Sequence, residues 1–148
     1  MRIIPYLKIG DNMRSNNNSV SILQYHIVWC TKYRHPILTG AVEVETKTIL
    51  AQTCAEYGWT LKAIEVMPDH VHLFLEASPD EAPSTIARTL KSISAVHIFT
   101  AFPKLKERKF WGSGLWSRGC YYGSVGAVTE ESVKKYIENQ KSNIGGTE

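Results

Sequence analysis

Two β-rich runs separated only by Pro68 and Asp69 constrain the fold of this chain more than any other feature. The second run, residues 70–77, alternates polar with apolar side chains, as a half-buried strand does. Pro68 has no amide proton to give to a strand ladder, so the two residues are predicted to form a turn. The sequence therefore predicts a tight antiparallel hairpin that joins a strand over residues 59–67 to a strand over residues 70–77.

One strand and one helix are predicted before this hairpin. A β-rich run begins at Gln24 and is ended by Pro36. A helix capped by Thr39 or Gly40 follows, because apolar residues recur there at roughly helical spacing, and Gly58 terminates it.

Two helices and one strand are predicted after the hairpin. Ser84 caps a helix that ends near Phe102, and a strand runs from Leu115 to about Val125. The last helix begins after Thr129. The first six elements of the resulting order, β-α-β-β-α-β-α, match the split βαβ, ferredoxin-like arrangement of the α+β class. That arrangement is an antiparallel sheet with two helices on one face and an open opposite face.

The domain organisation is expected to be simple. Residues 11–19 are polar and rich in turn formers, so they cannot bury enough surface to order themselves. We expect a flexible leader over residues 1–19 and a single domain over residues 20–148. The chain has 148 residues, of which 43% are hydrophobic, and this balance suits one globular core.

The cytoplasm is the compartment that the sequence favours. No apolar run approaches the roughly 18 residues of a membrane helix, and residues 1–20 lack the apolar core and cleavage site of a signal peptide. Cys30, Cys54 and Cys120 are an odd number without CxxC spacing, so neither a disulfide framework nor a thiolate zinc site is predicted.

Two histidines in the second strand of the hairpin are candidate metal ligands. Alternate side chains of a strand share a face, so His70 and His72 project to one side while Val71 and Leu73 project to the other. The aliphatic side chains are expected to face the helices, which leaves both imidazoles on the open face within reach of one cation. A histidine pair alone is a weak signal, because such pairs are common on strands.

The last helix carries Tyr136 and Gln140, which are four residues apart and therefore lie on one helix face. A hydroxyl nucleophile beside a metal site with an open coordination position is what phosphoryl transfer to a protein side chain requires. Taken alone the pair is not diagnostic, since tyrosine is often a half-buried packing residue.

Considered together, four stretches of the chain resemble the single-tyrosine HUH transposases, whose relatives include the REP-associated tyrosine transposases. The stretches are residues 29–36, 67–73, 115–126 and 133–140, in this order. The resemblance runs from about residue 24 to residue 141. Members of this family move small bacterial and archaeal insertion sequences as single-stranded DNA, and their fold agrees with the predicted order of elements.

The resemblance implies a specific site and chemistry. His70 and His72 would be the histidines of the HUH motif, Gln140 the third ligand of a divalent ion, Mg²⁺ or Mn²⁺, and Tyr136 the nucleophile. Attack by Tyr136 would leave a 5′-phosphotyrosine and a 3′-hydroxyl, so that hairpin-bearing DNA ends are cleaved and rejoined without ATP. Similar proteins are homodimers, associated with the nucleoid when acting. The sequence leaves open whether the tyrosine helix acts in cis or in trans.

Basic residues occur in clusters that are candidates for DNA contacts, although the formal net charge is only +3. Cations would hold phosphates, and aromatic side chains would stack on unpaired bases. A solvated surface is the simpler interpretation of any single cluster. The candidate DNA-binding residues are Lys32, Arg34, Arg88, Lys91, Lys104, Lys106, Arg108, Lys109 and Trp111.

Two glycines precede the tyrosine helix. Gly123 and Gly126 supply backbone freedom for a hinge that would let this helix swing, or they are ordinary turn glycines.

Two other functions stay open at the level of sequence. A non-catalytic single-stranded nucleic-acid-binding module is plausible on such a sheet, because open sheet faces often stack bases. The histidine pair and the Tyr136–Gln140 pair favour an enzyme over a binder. A domesticated or replication-initiator-like HUH nickase would keep the fold and the cleavage without moving an element, and the sequence does not separate it from a transposase.

Overall fold

The computed structural model describes residues 2–3, 14–16, 19–109, 113–124 and 130–141. In chain order the strands are β1 Arg2–Ile3, β2 Arg14–Asn16, β3 Ser19–Ser21, β4 Leu23–Cys30, β5 Thr60–Met67, β6 His70–Ala77 and β7 Tyr121–Ser124. The helices are α1 Gly40–Tyr57, α2 Pro83–Ala101, α3 Pro103–Lys109 and α4 Glu130–Lys141, and a short 3₁₀ turn, η1, covers Lys32–Arg34. None of the helices described is both long and apolar enough to cross a membrane.

Five antiparallel strands form one sheet in the order β1-β5-β6-β4-β7. The hairpin predicted around Pro68 and Asp69 joins β5 to β6, and β6 pairs with β4 on its other side. Without the two-residue edge strand β1, this order is that of a ferredoxin-like sheet. The predicted α+β class and hairpin are therefore confirmed.

The core lies between the sheet and the helices α1 and α2. Ile27 of β4 and Leu73 and Leu75 of β6 are fully buried there, as are Leu50 of α1 and Leu90 of α2. Burying an aliphatic side chain of this size contributes roughly 1.5–3 kcal/mol. This layer covers one sheet face and leaves the alternate residues of β4 and β6 on the other.

The first helix has the predicted bounds, and its end depends on a left-handed residue. Gly58 adopts φ 76° directly after Tyr57, and its N–H donates to the Ala55 carbonyl. Only glycine takes this conformation without steric cost, so it ends α1 and turns the chain into β5.

Replacing Gly58 with alanine should lower the free energy of unfolding by about 1 kcal/mol, the cost of a left-handed non-glycine residue. An added Cβ would meet no atom within 4 Å, so the expected loss comes from backbone strain alone. Gly114→Ala is a matched control, because Gly114 has equal space and no positive φ. Urea denaturation of both variants checks this, and equal losses would contradict it.

The first and the last strand of the predicted four-strand set, in chain order, are shorter than expected. β4 ends at Cys30 because Thr31 pairs with Trp116 and its hydroxyl donates to the His35 carbonyl. Since Trp116 is used in that bridge, residues 115–116 do not extend β7, which begins only at Tyr121. Non-local pairing therefore overrides the β-rich pattern at these two places.

The residues that follow Thr31 are strained. Tyr33 and Arg34 have φ values of 58° and 52°, in the left-handed region. For non-glycine residues this costs about 1–2 kcal/mol each, so the surrounding contacts must hold the turn.

Helix α2 begins two residues earlier than predicted. Pro83 occupies its first turn and Ala82 its N-cap position, so Ser84 lies inside the helix. Proline suits this position because its missing N–H would have no helical partner there. Thr129, after which the last helix was predicted to begin, lies outside the described residues.

Short strands occur before residue 20. β1 pairs with the edge of β5, and β2 pairs with β3. The division into a leader over residues 1–19 and a domain over residues 20–148 stays a prediction.

Candidate active site on the open sheet face

The sheet face away from α1 and α2 carries both predicted histidines. His70 lies opposite Cys30, and His72 lies opposite Val28, in the β4–β6 register. Opposite residues of paired strands project to the same side, so these four side chains share the open face. Val71, between the histidines, is fully buried on the helix side. The placement of the pair follows the sequence prediction, and its role as a metal site stays a proposal.

His70 is held from behind by a carboxylate. Its Nδ1 lies 2.9 Å from Asp69 Oδ1. Burial by itself raises the pKa of Asp69, but hydrogen bonds with His70 and Arg34 and the guanidinium charge outweigh it, so the pKa stays below its ordinary value. An ionised carboxylate can only accept a hydrogen bond, so Nδ1–H of His70 is the donor to Asp69 Oδ1. A carboxylate in this position is the usual outer partner of a metal-binding histidine.

His72 has a second histidine as its neighbour. His26 Nδ1 lies 3.0 Å from His72 Nε2, and the His26 ring stacks on Phe74 with centroids 4.8 Å apart. Burial lowers the pKa of both histidines, and the neighbouring His26 lowers that of His72 further. Both rings are therefore neutral near pH 7, the form that binds a metal, and one donates to the other.

His26 was not among the residues singled out from the sequence. Its alternation with buried neighbours predicts a place on the open face, and this was the only available signal. Its contact with His72 depends on the β4–β6 register, which a single sequence does not specify.

The tyrosine helix α4 docks on the same open face of its own chain. The ring of Tyr136 lies 5.9 Å from that of Tyr121, which β7 places opposite Val28, and the Tyr121 hydroxyl lies 3.0 Å from Ser132 Oγ. Gln140, one turn beyond Tyr136, is half-buried. The structure thus brings Tyr136 to the sheet face that carries the histidines.

The Tyr136 hydroxyl is buried, and no other described residue forms a hydrogen bond with it. Burial raises its pKa well above the ordinary value, and the nearby Cys30 and Cys120 thiols raise it further. In this docked position the hydroxyl is therefore protonated and not activated for attack.

Arg34 connects the histidine side of the site to the tyrosine helix. Its Nε and Nη2 donate to Asp69 Oδ2 at 2.9 and 2.6 Å, and its Nη1 donates to the Ile137 carbonyl at 3.3 Å. The sequence interpretation assigned Arg34 to DNA. Here its donors are used inside the protein, and a DNA contact stays a prediction.

The remaining candidate DNA-binding residues are divided between two regions. Arg88 and Lys91 line an open groove of about 460 Å³ between α2 and the start of β7, which Tyr122 also lines. Lys104, Lys106 and Arg108 are exposed on α3, and Lys32 lies over the Tyr33 ring. The Lys109 side chain and Trp111 lie outside the described residues.

Lys91 has a structural role within this groove. Its ammonium donates to the carbonyls of Ser117 and Gly119 at 2.8 and 2.6 Å, and burial lowers its pKa. It thereby holds the segment that leads into β7.

Replacing Lys91 with methionine should lower the free energy of unfolding by about 2 kcal/mol, because two carbonyls lose a charged donor. Arg88→Met is the matched control, since Arg88 is exposed on the same helix, and a change within about 0.5 kcal/mol is expected for it. Thermal or urea unfolding measures both. A Lys91→Met variant as stable as Arg88→Met would contradict the structural role.

The predicted hinge is only partly within the described residues. Gly123 lies inside β7, opposite His26, so the sheet holds its backbone. Gly126 lies outside the described residues, and a hinge there stays a prediction.

Among the described residues, no three histidine, cysteine, aspartate or glutamate side chains come together as a cation site. A metal centre built on His70 and His72 therefore depends on a donor of another type, and the amide of Gln140 is the candidate. Two neutral imidazoles and an amide oxygen are a mixed donor set that suits Mn²⁺ and Mg²⁺.

Comparisons with known proteins agree with this fold. A family model described as IS200-like transposase matches residues 19–140. The chain is 41% identical over 135 residues to the ISDra2 transposase TnpA of Deinococcus radiodurans, covering 91% of this chain and 96% of that protein. It is 31% identical over 117 residues to the transposase of insertion sequence element IS200 of Salmonella typhimurium, covering 79% of this chain and 76% of that protein.

Solved structures show the same relationship. A crystal structure of a Deinococcus radiodurans R1 protein assigned as a transposase superposes with a TM-score of 0.79 at 40% identity, covering 86% of this chain and 98% of that one. A REP-associated tyrosine transposase, solved bound to a REP hairpin, superposes with a TM-score of 0.52 at 13% identity, covering 85% and 69% of the two chains, and shares the fold. From the family match and the identity to the relatives, the chain belongs to the IS200-like transposase family.

Proposed function

We propose that this transposase cleaves and rejoins single-stranded DNA through Tyr136, with a divalent ion, Mg²⁺ or Mn²⁺, held by His70, His72 and Gln140. One observation supports the proposal most strongly. The helix that carries Tyr136 docks on the sheet face that presents the two histidines, and the buried tyrosine hydroxyl has no hydrogen-bond partner among the described residues. A buried hydroxyl without a partner is costly, and such costs persist where function requires the group.

The protein groups divide the work of binding the ion. His70 would bind it through Nε2, because Nδ1 is engaged in the hydrogen bond with Asp69. His72 is kept neutral by burial. Gln140 would bring an amide oxygen from the tyrosine helix, so the ligand set would be complete only with that helix in place. When bound, the ion would act as a Lewis acid toward the scissile phosphate.

The covalent step belongs to Tyr136. Its oxygen would bond to phosphorus and release its proton, while the bond from phosphorus to the 3′ oxygen breaks and that oxygen takes up a proton. The fragment downstream of the break then remains on the tyrosine through its 5′ phosphate, and a 3′-hydroxyl attacks this linkage in the rejoining step. Because burial raises the pKa of Tyr136 in the docked position, the charge of the bound ion would be needed to favour loss of the hydroxyl proton.

The proposed substrate is a DNA hairpin with an adjacent single strand. The hairpin in the structure of the REP-associated relative supports this choice. In this chain the groove lined by Arg88 and Lys91 offers positive charge near the edge strand β7. We propose a homodimer as the acting species, so that two DNA ends are exchanged together.

A labelling experiment tests the proposed reaction. Hairpin-bearing oligonucleotides from the DNA that flanks the gene are labelled at either end and incubated with the protein and Mn²⁺ or Mg²⁺. A 5′-phosphotyrosine predicts that the 3′-end label stays on the protein in a denaturing gel and the 5′-end label is released. Peptide mapping should place the adduct at Tyr136, and chelation should remove it.

The other outcomes separate the alternatives. Tight hairpin binding without any adduct would overturn the proposal in favour of a binding module. An adduct that never transfers its strand to a second oligonucleotide would favour a nickase over a transposase. An adduct that carries the 5′-end label would contradict the proposed polarity.

A further inference from the structure

The guanidinium of Arg34 contacts both halves of the proposed active site. Its Nε and Nη2 donate to the Asp69 carboxylate behind His70. Its Nη1 donates to the backbone carbonyl of Ile137, the residue after Tyr136 in the tyrosine helix. We propose that Arg34 is a positioning residue that orients His70 and keeps the tyrosine helix docked at the same time. The inference rests on the proposed function, because it assigns His70 and Tyr136 to one site.

The backbone at Arg34 supports this role. Tyr33 and Arg34 are consecutive non-glycine residues with positive φ. The turn that they form is closed by the Arg34 N–H to the Thr31 carbonyl, at 2.9 Å, and by the His35 N–H to the Lys32 carbonyl, at 3.2 Å. Strained backbone of this kind is maintained where it aims a functional side chain. Here it turns the chain directly after β4 and brings Arg34 to Asp69 and Ile137.

The two ends of the contact differ in strength. The Asp69 end is a charge-assisted fork with a 2.6 Å component, and both side chains are mostly buried, with exposed fractions of 18% and 19%. The Ile137 end is one longer bond, of 3.3 Å, to a neutral carbonyl. The helix end is therefore the part that opens first. Arg34 stays with Asp69 when α4 departs, ready to capture the helix again.

A second contact holds the helix without touching the histidines. The Tyr121 hydroxyl lies 3.0 Å from Ser132 Oγ, on the same helix one turn before Tyr136. Removing this contact should loosen α4 alone, whereas removing Arg34 should loosen α4 and disturb His70. The difference gives a direct test of coupling through one residue.

Two measurements without DNA read the two halves separately. Mn²⁺ affinity, from the electron paramagnetic resonance of the unbound ion, reports on the histidine side. The alkylation rate of Cys30 and Cys120 reports on helix docking, because Cys30 is fully buried, Cys120 is half-buried and both lie near Tyr136. Cys54 is buried elsewhere in the core, so its alkylation marks unfolding.

Arg34→Met should weaken Mn²⁺ binding by about tenfold, the size of an outer-partner loss. It should also speed alkylation of Cys30 and Cys120 by about tenfold, with Cys54 unchanged. Arg34→Lys keeps the charge but not the fork, and should give intermediate values for both. Ser132→Ala should speed alkylation but weaken Mn²⁺ binding less than Arg34→Met does, because it loosens the helix that carries Gln140 and leaves the contact behind His70 intact. Lys32→Met, the neighbouring cation over the Tyr33 ring, should change neither.

Different experimental results would refute the role of Arg34 and the proposed function. The coupling is overturned if Arg34→Met changes only one readout or neither. It is also overturned if Lys32→Met has the same effects as Arg34→Met. If Arg34→Met exposes Cys54 by unfolding, Arg34→Lys decides the question through the same two readouts. Wild-type protein that binds no Mn²⁺ refutes the proposed metal site and with it the double role of Arg34. Absence of a DNA adduct in wild type refutes the proposed reaction alone.

Discussion

Replacing Tyr136 with phenylalanine should abolish the covalent protein–DNA adduct without destabilising the fold. The substitution removes the proposed nucleophile and nothing else. The hydroxyl is buried and has no hydrogen-bond partner in the part of the chain that the structure describes, and a buried polar group in that condition costs about 1–3 kcal/mol. We therefore expect the free energy of unfolding to rise by about 1 kcal/mol. The variant should lose its activity and gain stability.

Tyr121→Phe is the matched control for this prediction. The Tyr121 hydroxyl pairs with Ser132 Oγ, so its loss should lower the free energy of unfolding by about 1 kcal/mol while an adduct still forms at Tyr136. Urea denaturation and the adduct gel together measure both variants. An adduct on Tyr136→Phe, or a stability loss equal to that of Tyr121→Phe, would contradict the prediction.

The expected gain in stability concerns the resting state of the protein, in which α4 is docked. Burial raises the pKa of Tyr136, so in the docked helix the hydroxyl stays protonated throughout the neutral range. A docked tyrosine is therefore protected from reaction in the absence of DNA.

The hairpin and the histidine face are examples of what local chemistry makes predictable. Pro68 removes a ladder donor at one position, and period-two alternation places His70 and His72 on one face without knowledge of any partner strand. The position of α4 lies beyond such rules. No pattern in the residues of α4 indicates that this helix covers the open sheet face of the same chain.

Arg34 and His26 show why the rest of the site was not predictable. The charge of Arg34 lies in a basic cluster that indicates a DNA contact, but a left-handed turn at residues 33–34 directs it to Asp69 instead. His26 contacts His72 only through the register of β4 against β6. Both contacts join residues that are far apart in sequence, and a single chain without its fold does not specify them.

Alanine at His72 should slow adduct formation by roughly a thousandfold at saturating DNA. A bound cation contributes several kcal/mol of transition-state stabilisation, and about 1.4 kcal/mol corresponds to a factor of ten. His26→Ala removes only the neighbour that hydrogen bonds to the His72 ring, so a smaller loss, about 10- to 100-fold, is expected. The matched control is His97→Ala, because His97 pairs with Glu45, away from the site.

The rate of adduct formation with Mn²⁺, measured in a single turnover, ranks these variants. Hairpin binding measured without metal should be the same for all three. If His72 holds the ion and His26 supports His72, the losses fall from His72 to His26 to His97. An equal and complete loss at His26 would make that residue a ligand in its own right. A wild-type rate for His72→Ala, retained in a chelator, would instead mean that Tyr136 reacts without a metal, and the histidine face would need another role.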